Sequence, residues 1–283
     1  MPTPVSALLH AATMVTAGVY LLLKFNILLI KSGLAFFIII FSLFTILFSG
    51  LSSYFQSDIK KIIAFSTSAQ LAYMFLAIGL GEVFGFFHLL THGFFKALLF
   101  LLAGVIIHSY LDNQDIRKYG NFIFLSPLTY SFFIVGTLAI LSFPFLSGYY
   151  SKEIILEYSF LNSFYIYLLS LFGTFLTLLY SLKLLYYIFF SNFKSSLSHF
   201  SFFHDAPLSL FFILSPLVFG SLFIGYILSD LLIGCGLFNL DFEFIPFFIK
   251  LLPTFILISF SFLFVFFYSF HFLHFNFFSF FYK

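Results

Sequence analysis

The chain has 283 residues, 62% of them hydrophobic and only 8% charged, with a formal net charge of +2. Its mean hydropathy is +1.14. These values exclude a soluble core, give no sign of nucleic-acid binding, and describe an all-α, multi-pass protein surrounded by lipid. Cys235 is the single cysteine and cannot close an internal disulfide.

A span takes roughly 20 apolar residues, so the length leaves room for about eight. They are expected at about 4–23, 34–55, 58–80, 83–107, 127–158 (broken), 164–190, 208–228 and 246–272, making 1–283 one transmembrane domain. The first span places His10, Thr13 and Thr16 at helical spacing, so this polar stripe should face protein rather than lipid. Lys24 and Lys31 flank the loop that follows, and the second span carries no charge. Asp58, Lys60 and Lys61 open the third, with Asp58 expected as its N-cap. Ser66, Thr67, Ser68 and Gln70 make its middle polar, and lipid offers such groups no partners.

The fourth span is the informative one. His88, His92 and Lys96 stand four residues apart in an apolar run from about Val83 to Ile107. A helix turns about 100° per residue, so they form one stripe rising about 6 Å per step. A lysine at that depth costs at least about 2.5–3.5 kcal/mol. A packing site would explain a lone histidine better than three titratable groups. A zinc site would lack a nearby Cys or carboxylate to complete it. A proton path fits best, because a neutral imidazole accepts on one nitrogen and donates from the other.

The fifth span is interrupted by Phe143-Pro144-Phe145-Leu146-Ser147-Gly148, followed at once by Lys152, Glu153 and Glu157. Proline removes a donor, so the helix should break near Pro144–Gly148, and broken helices at membrane depth line cavities or are buried in protein. Lys183 in the sixth span could equally snorkel to the headgroups or serve the interior. Lys60, Lys61, Arg117, Lys118, Lys194 and Lys283 collect on one side, which the positive-inside rule makes the cytoplasm-equivalent one.

Four segments, in this order, resemble the antiporter-like subunits of proton-pumping NADH:quinone oxidoreductase, respiratory complex I. They are Pro2 to Val15, Asp58 to Thr67, the His88–Lys96 helix, and Phe143 to Glu153. The resemblance reaches from residue 2 to about 255, and the wording of the Phe143 segment in a Phe-rich, Trp-free chain points to the distal mitochondrial branch. It implies the second half of an antiporter-like subunit in the mitochondrial inner membrane, part of an H+-translocating reductase. Proton transfer would use His10, Lys60, His88, His92, Lys96 and Lys152, supported by Ser66, Thr67, Glu153 and Lys183. No cofactor is expected in this chain; NADH, FMN, iron–sulfur clusters and ubiquinone would belong to other subunits. The implied partners are other membrane-arm subunits and lipids. A separate chain is expected to supply the N-terminal half of the subunit, and another its lateral helix. A subunit of a multi-subunit cation/proton antiporter shares the same motifs and is the alternative. A structural subunit with a dead channel is a third reading, disfavoured by the retained bases.

Overall fold

A computed structural model describes residues 5, 13–81, 84–192, 208–234 and 245–263. Among these the secondary structure is helical, apart from turns and one isolated bridge. In chain order the helices are α1 (Met14–Lys24), α2 (Asn26–Lys31), α3 (Leu34–Phe55), α4 (Ile59–Gly79), α5 (Phe84–Ser109), α6 (Phe122–Leu125), α7 (Pro127–Ile140), α8 (Ser147–Asn162), α9 (Phe164–Leu185), α10 (Leu208–Ser229) and α11 (Phe247–Leu263). Five stretches are long and apolar enough to cross a membrane: α3, α4, α5, α9 with the wide turn Tyr186–Phe190, and Ser209–Leu232. α1, α7 and α11 are shorter apolar helices. The chain is an integral membrane protein.

Burial separates the roles of these helices. The apolar window of α3 is only 28% buried and turns Phe36, Phe37, Phe41, Phe44 and Phe48 outward, as a lipid-facing helix should. The windows of α4 and α5 are 72% and 61% buried. α5 packs against α4, α7, α8 and α10 and also touches α1, so the polar stripe expected on it lies among helices rather than in lipid.

The interruption after α7 is a true gap in the helical ladder. α7 ends at Ile140 and α8 starts at Ser147. Ser142 and Phe145 between them have φ of 61° and 70°, the left-handed region that stops an α-helix. Gly148 is needed immediately after the gap: a Cβ there would stand 1.9 Å from the carbonyl oxygen of Ala139. Gly225 does the same for α10, where a Cβ would meet the Ser147 backbone at 2.4 Å. The bend is therefore clamped between the end of α7 and α10.

Two expectations need correction, and one proline was passed over. The stretch between Lys24 and Lys31 is the short helix α2 rather than a loop, tied down where Asn26 Nδ2 donates to Gly81 O at 3.1 Å. Asp58 precedes α4 but makes no side-chain cap. It pairs with Lys61 at 2.9 Å, and its backbone bridges to Asp115 in the loop after α5. The amides of Ile59 and Ile116 close that bridge on Gln114 O and Ser57 O at 3.0 and 2.9 Å, so its extended backbone sets the start of the helix. Pro216 lies inside α10, a feature the sequence reading passed over.

Candidate proton-relay site

His88, His92, Lys96 and Lys152 are all at most 1% exposed. Lys96 projects from α5 to α4, where its ammonium donates to Ser66 Oγ at 2.6 Å; Ser66 in turn donates to Ile63 O at 2.7 Å. Ser66 thus presents a lone pair to the lysine while its own hydrogen is held by the helix, which suits a buried ammonium. Thr67 uses its hydroxyl on Ala64 O and is not part of this contact.

His88 is held at both ring nitrogens. Nε2 lies 3.1 Å from Gln70 Oε1 on α4, and Nδ1 lies 2.9 Å from Ser151 Oγ on α8. Ser151 lies 2.9 Å from Thr91 Oγ1, one turn further along α5. His92 is different. Its ring packs edge-on against Phe95, with centroids 5.4 Å apart, and neither of its nitrogens has a hydrogen-bond partner within the protein.

Lys152 lies in the second turn of α8, close behind the gap, and turns inward. Its ammonium lies 3.3 Å from Thr177 Oγ1 of α9 and 5.1 Å from the centre of the Tyr73 ring of α4. Tyr73 is fixed by donating to Ser170 O at 2.8 Å. The aromatic face and the hydroxyl partly replace water around the charge. Glu153 is next in sequence but points elsewhere; it pairs with the Tyr149 hydroxyl and keeps Oε1 buried without a partner.

The remaining expected residues sit apart. Lys60 is half-buried in the first turn of α4, about 9 Å along the axis from Ser66. Lys183 donates to Tyr54 O at 2.5 Å and Gln56 O at 2.6 Å, and its ammonium lies over the Tyr54 ring. Those carbonyls belong to the C-terminal end of α3, so Lys183 caps that helix. His10 lies outside the described residues. The structure adds Thr91, Ser151, Thr177 and Tyr73 to the set. Gln70 and Ser151 were visible as polar residues beside a stripe and a break; Thr177 belongs to a hydroxyl stripe with Ser170, Thr174 and Ser181 that the sequence reading passed over, and Tyr73 follows the polar middle of α4 by one turn. Among the described residues no three His, Cys, Asp or Glu side chains converge to hold a metal.

Residues 1–179 match the family profile described as NADH:quinone oxidoreductase/Mrp antiporter, transmembrane. The chain belongs to the NADH:quinone oxidoreductase/Mrp antiporter family. Among its relatives, NADH-ubiquinone oxidoreductase chain 5 of Acanthamoeba castellanii is 46% identical over 272 residues, covering 89% of this chain and 40% of that protein. The chain 5 of Phytophthora infestans is 44% identical over 287 residues, covering 94% and 43%. This family member thus spans about two fifths of the length of the curated relatives it matches. A chain of the membrane-bound sulfane sulfur reductase, an archaeal respiratory membrane complex, superposes with a TM-score of 0.70 at 21% identity. The match covers 81% of this chain and 47% of the other, so the two share a fold.

Proposed function

We propose that this chain forms the proton-conducting centre of the distal antiporter-like subunit, chain 5, of respiratory NADH:ubiquinone oxidoreductase in the mitochondrial inner membrane. The observation that carries this reading is the continuous burial of His88, His92, Lys96 and Lys152 around α5, with only hydroxyls, an amide and an aromatic face as neighbours. Two ammonium groups in such surroundings are not held charged together without cost, because like charges in a poorly solvated region oppose one another. A proton arriving on one base therefore displaces the next. Consecutive steps of about 6 Å along the helix exceed a hydrogen bond, so water completes the path between them. His92, with both nitrogens unpartnered by protein, is the place where such water has two acceptor or donor sites to use.

On this reading Lys60 belongs to the central axis with His88, His92 and Lys96, and Lys152 stands nearest the outlet; His10, which the family resemblance also enlists, lies outside the described residues. NADH, FMN, iron–sulfur clusters and ubiquinone are handled by other subunits of the complex, and the partners of this chain are the neighbouring membrane-arm subunits and lipid. The part of the relatives' length that lies outside the match packs around this stretch, whether on the same polypeptide or another; mass spectrometry of the intact complex distinguishes the two.

The test is NADH-driven acidification of inverted membrane vesicles carrying the complex. The double variant His88→Ala/His92→Ala is expected to assemble, retain NADH oxidation by an artificial acceptor, and lose proton uptake. Normal pumping per electron in that assembled variant would show the row to be structural. The second reading is a subunit of a multi-subunit cation/proton antiporter, which the breadth of the family profile favours. Co-migration of the chain with NADH dehydrogenase activity on a native gel decides between them.

A further inference from the structure

Three hydroxyl and amide contacts around His88 form an ordered chain that the row of bases does not require. Thr91 Oγ1, Ser151 Oγ and His88 Nδ1 follow one another at 2.9 Å and 2.9 Å, and Gln70 Oε1 holds the opposite nitrogen at 3.1 Å. Thr91 Oγ1 also lies 3.1 Å from the carbonyl oxygen of His88. Ser151 has other acceptors only at longer range, the carbonyls of Ser147 and Gly148 at 3.4 and 3.5 Å.

Hydrogen counting limits what this chain can do. Each hydroxyl has one hydrogen to give, and a carbonyl can only accept. With Gln70 Oε1 facing Nε2, the ring hydrogen sits on Nε2, and Nδ1 of the neutral ring must accept. That fixes Ser151 as donor to Nδ1 and Thr91 as donor to Ser151. Adding a proton to the ring reverses both: Nδ1–H donates to Ser151, Ser151 to Thr91, and Thr91 to the His88 carbonyl. The three side-chain contacts survive in both states, and the Thr91 bond to the His88 carbonyl is made only when the ring is charged, so charging the ring leaves none of these groups unpaired.

We propose that Thr91 and Ser151 are a two-hydroxyl wire that delivers a proton to Nδ1 of His88, while Gln70 positions the ring by holding the hydrogen on Nε2. The proton donor is a lysine ammonium of the buried row, acting through water. Its proton binds Thr91 Oγ1 as the hydrogen of Thr91 passes to Ser151 and that of Ser151 passes to Nδ1. One N–H bond forms, the donor loses one proton, and each hydroxyl ends with one hydrogen. The reversed arrangement described above follows once the new Thr91 hydroxyl hydrogen swings from the donor water to the His88 carbonyl, with no heavy atom moved. Departure through Nε2 hands that proton to water, and the Gln70 amide turns to offer its NH2 group to the bared nitrogen. The wire runs from α5 to α8 and back, so it ties the protonation of His88 to the half-helix that carries Lys152.

The groups that bear on His88 are few. Lys152 faces it from α8, and Lys96 and His92 from its own helix. α7 and α10 contain no Asp, Glu, Lys, Arg or His, and α1 has only Lys24 at its end. The wire rests on the proposed function, and the test separates them. In vesicles carrying the assembled complex, Thr91→Val and Ser151→Ala should each lower the initial rate of NADH-driven acidification about tenfold. That is an order less than the smallest usual contribution of a positioned proton donor, since water replaces a hydroxyl in part. Thr91→Ser, which keeps the hydroxyl, should stay within about twofold of the parent. Gln70→Glu, which keeps an acceptor for Nε2–H, should retain more activity than Gln70→Leu. If Thr91→Val and Ser151→Ala pump normally while His88→Ala does not, the wire is wrong and the row of bases stands. If Thr91→Ser is as slow as Thr91→Val, the residue acts by packing and the wire is again wrong. If His88→Ala itself pumps normally, the proposed function falls. Should Ser151→Ala fail to assemble, the Thr91 pair still decides.

Discussion

The Lys96 ammonium of α5 donates to Ser66 Oγ of α4 over 2.6 Å, linking the two most buried spans at the centre of the bundle. Because Ser66 gives its own hydrogen to Ile63 O, the lysine is offered an oxygen and nothing else at that contact.

Removing either end should have unequal effects. Lys96→Ala deletes a base from the row and is expected to reduce pumping by at least about tenfold in an assembled complex. Ser66→Ala leaves the base but removes one buried acceptor, with a stability cost of about 1–3 kcal/mol for an ammonium left without it. Vesicle acidification and the thermal midpoint of the complex together check the pair. Equal pumping defects would mean that Ser66 acts in the relay itself.

Lys183 should behave as a structural residue. Its bonds to Tyr54 O and Gln56 O satisfy the end of α3. Lys183→Met is expected to lower stability by about 1 kcal/mol, the usual worth of a cation at a helix C-terminus, and to leave protons pumped per electron unchanged. A fall in that ratio at normal assembly would place Lys183 on the path.

Gly148→Ala tests the clamp at the gap. A Cβ at 1.9 Å from Ala139 O cannot be accommodated by side-chain movement, since the obstacle is backbone. The expected cost is about 1–3 kcal/mol or more, with loss of assembled complex on native gels. Normal assembly and pumping would show that α7 and α8 can separate freely.

The loop contact between Asp58 and Asp115 gives a pH dependence. Arg117 donates to both carboxylate oxygens of Asp115 from its side chain, at 2.7 to 3.1 Å, and holds that carboxyl below its usual range. A depressed carboxyl stabilises the fold above its unfolded value, near 3.9, and the contribution is lost as pH falls through the folded value. Exchange of the Ile59 and Ile116 amides, corrected for intrinsic rate, should therefore accelerate only below about pH 4. In Asp115→Asn it should already be faster at neutral pH and flat through that window. Identical profiles for the two proteins would remove the carboxylate from the account.

The central stripe was legible because three ionisable residues at every fourth position in an apolar run leave little choice of face. The gap was legible because Pro144 and Gly148 punctuate a span. What the stripe and the gap meet was not legible. Lys96 finds Ser66 thirty residues away, and Lys152 finds Thr177, one of four hydroxyl residues at helical spacing on α9 whose partner helix the sequence does not name. Lys183 looked like a snorkelling or relay lysine because its acceptors lie 127 and 129 residues earlier, at a helix end that only the packing of α9 on α3 brings near. Asp58 has an N-cap's sequence position, but the bridge to Asp115 dictates its backbone.

The shortness of α8 bears on how the protein enters the bilayer. Its 16 residues make a rod of about 24 Å, less than the roughly 30 Å of hydrocarbon, and α7 with 14 residues is shorter still. Neither can be threaded across alone, and α8 brings Lys152, Glu153 and Glu157 with it. The pair must pass into lipid as one folded corner, with Ser151 and Lys152 already turned toward α5 and α4 before α9 follows to close over them. Biogenesis of this region is therefore a packing event: the earlier spans have to be waiting in the membrane when the corner leaves the insertion machinery.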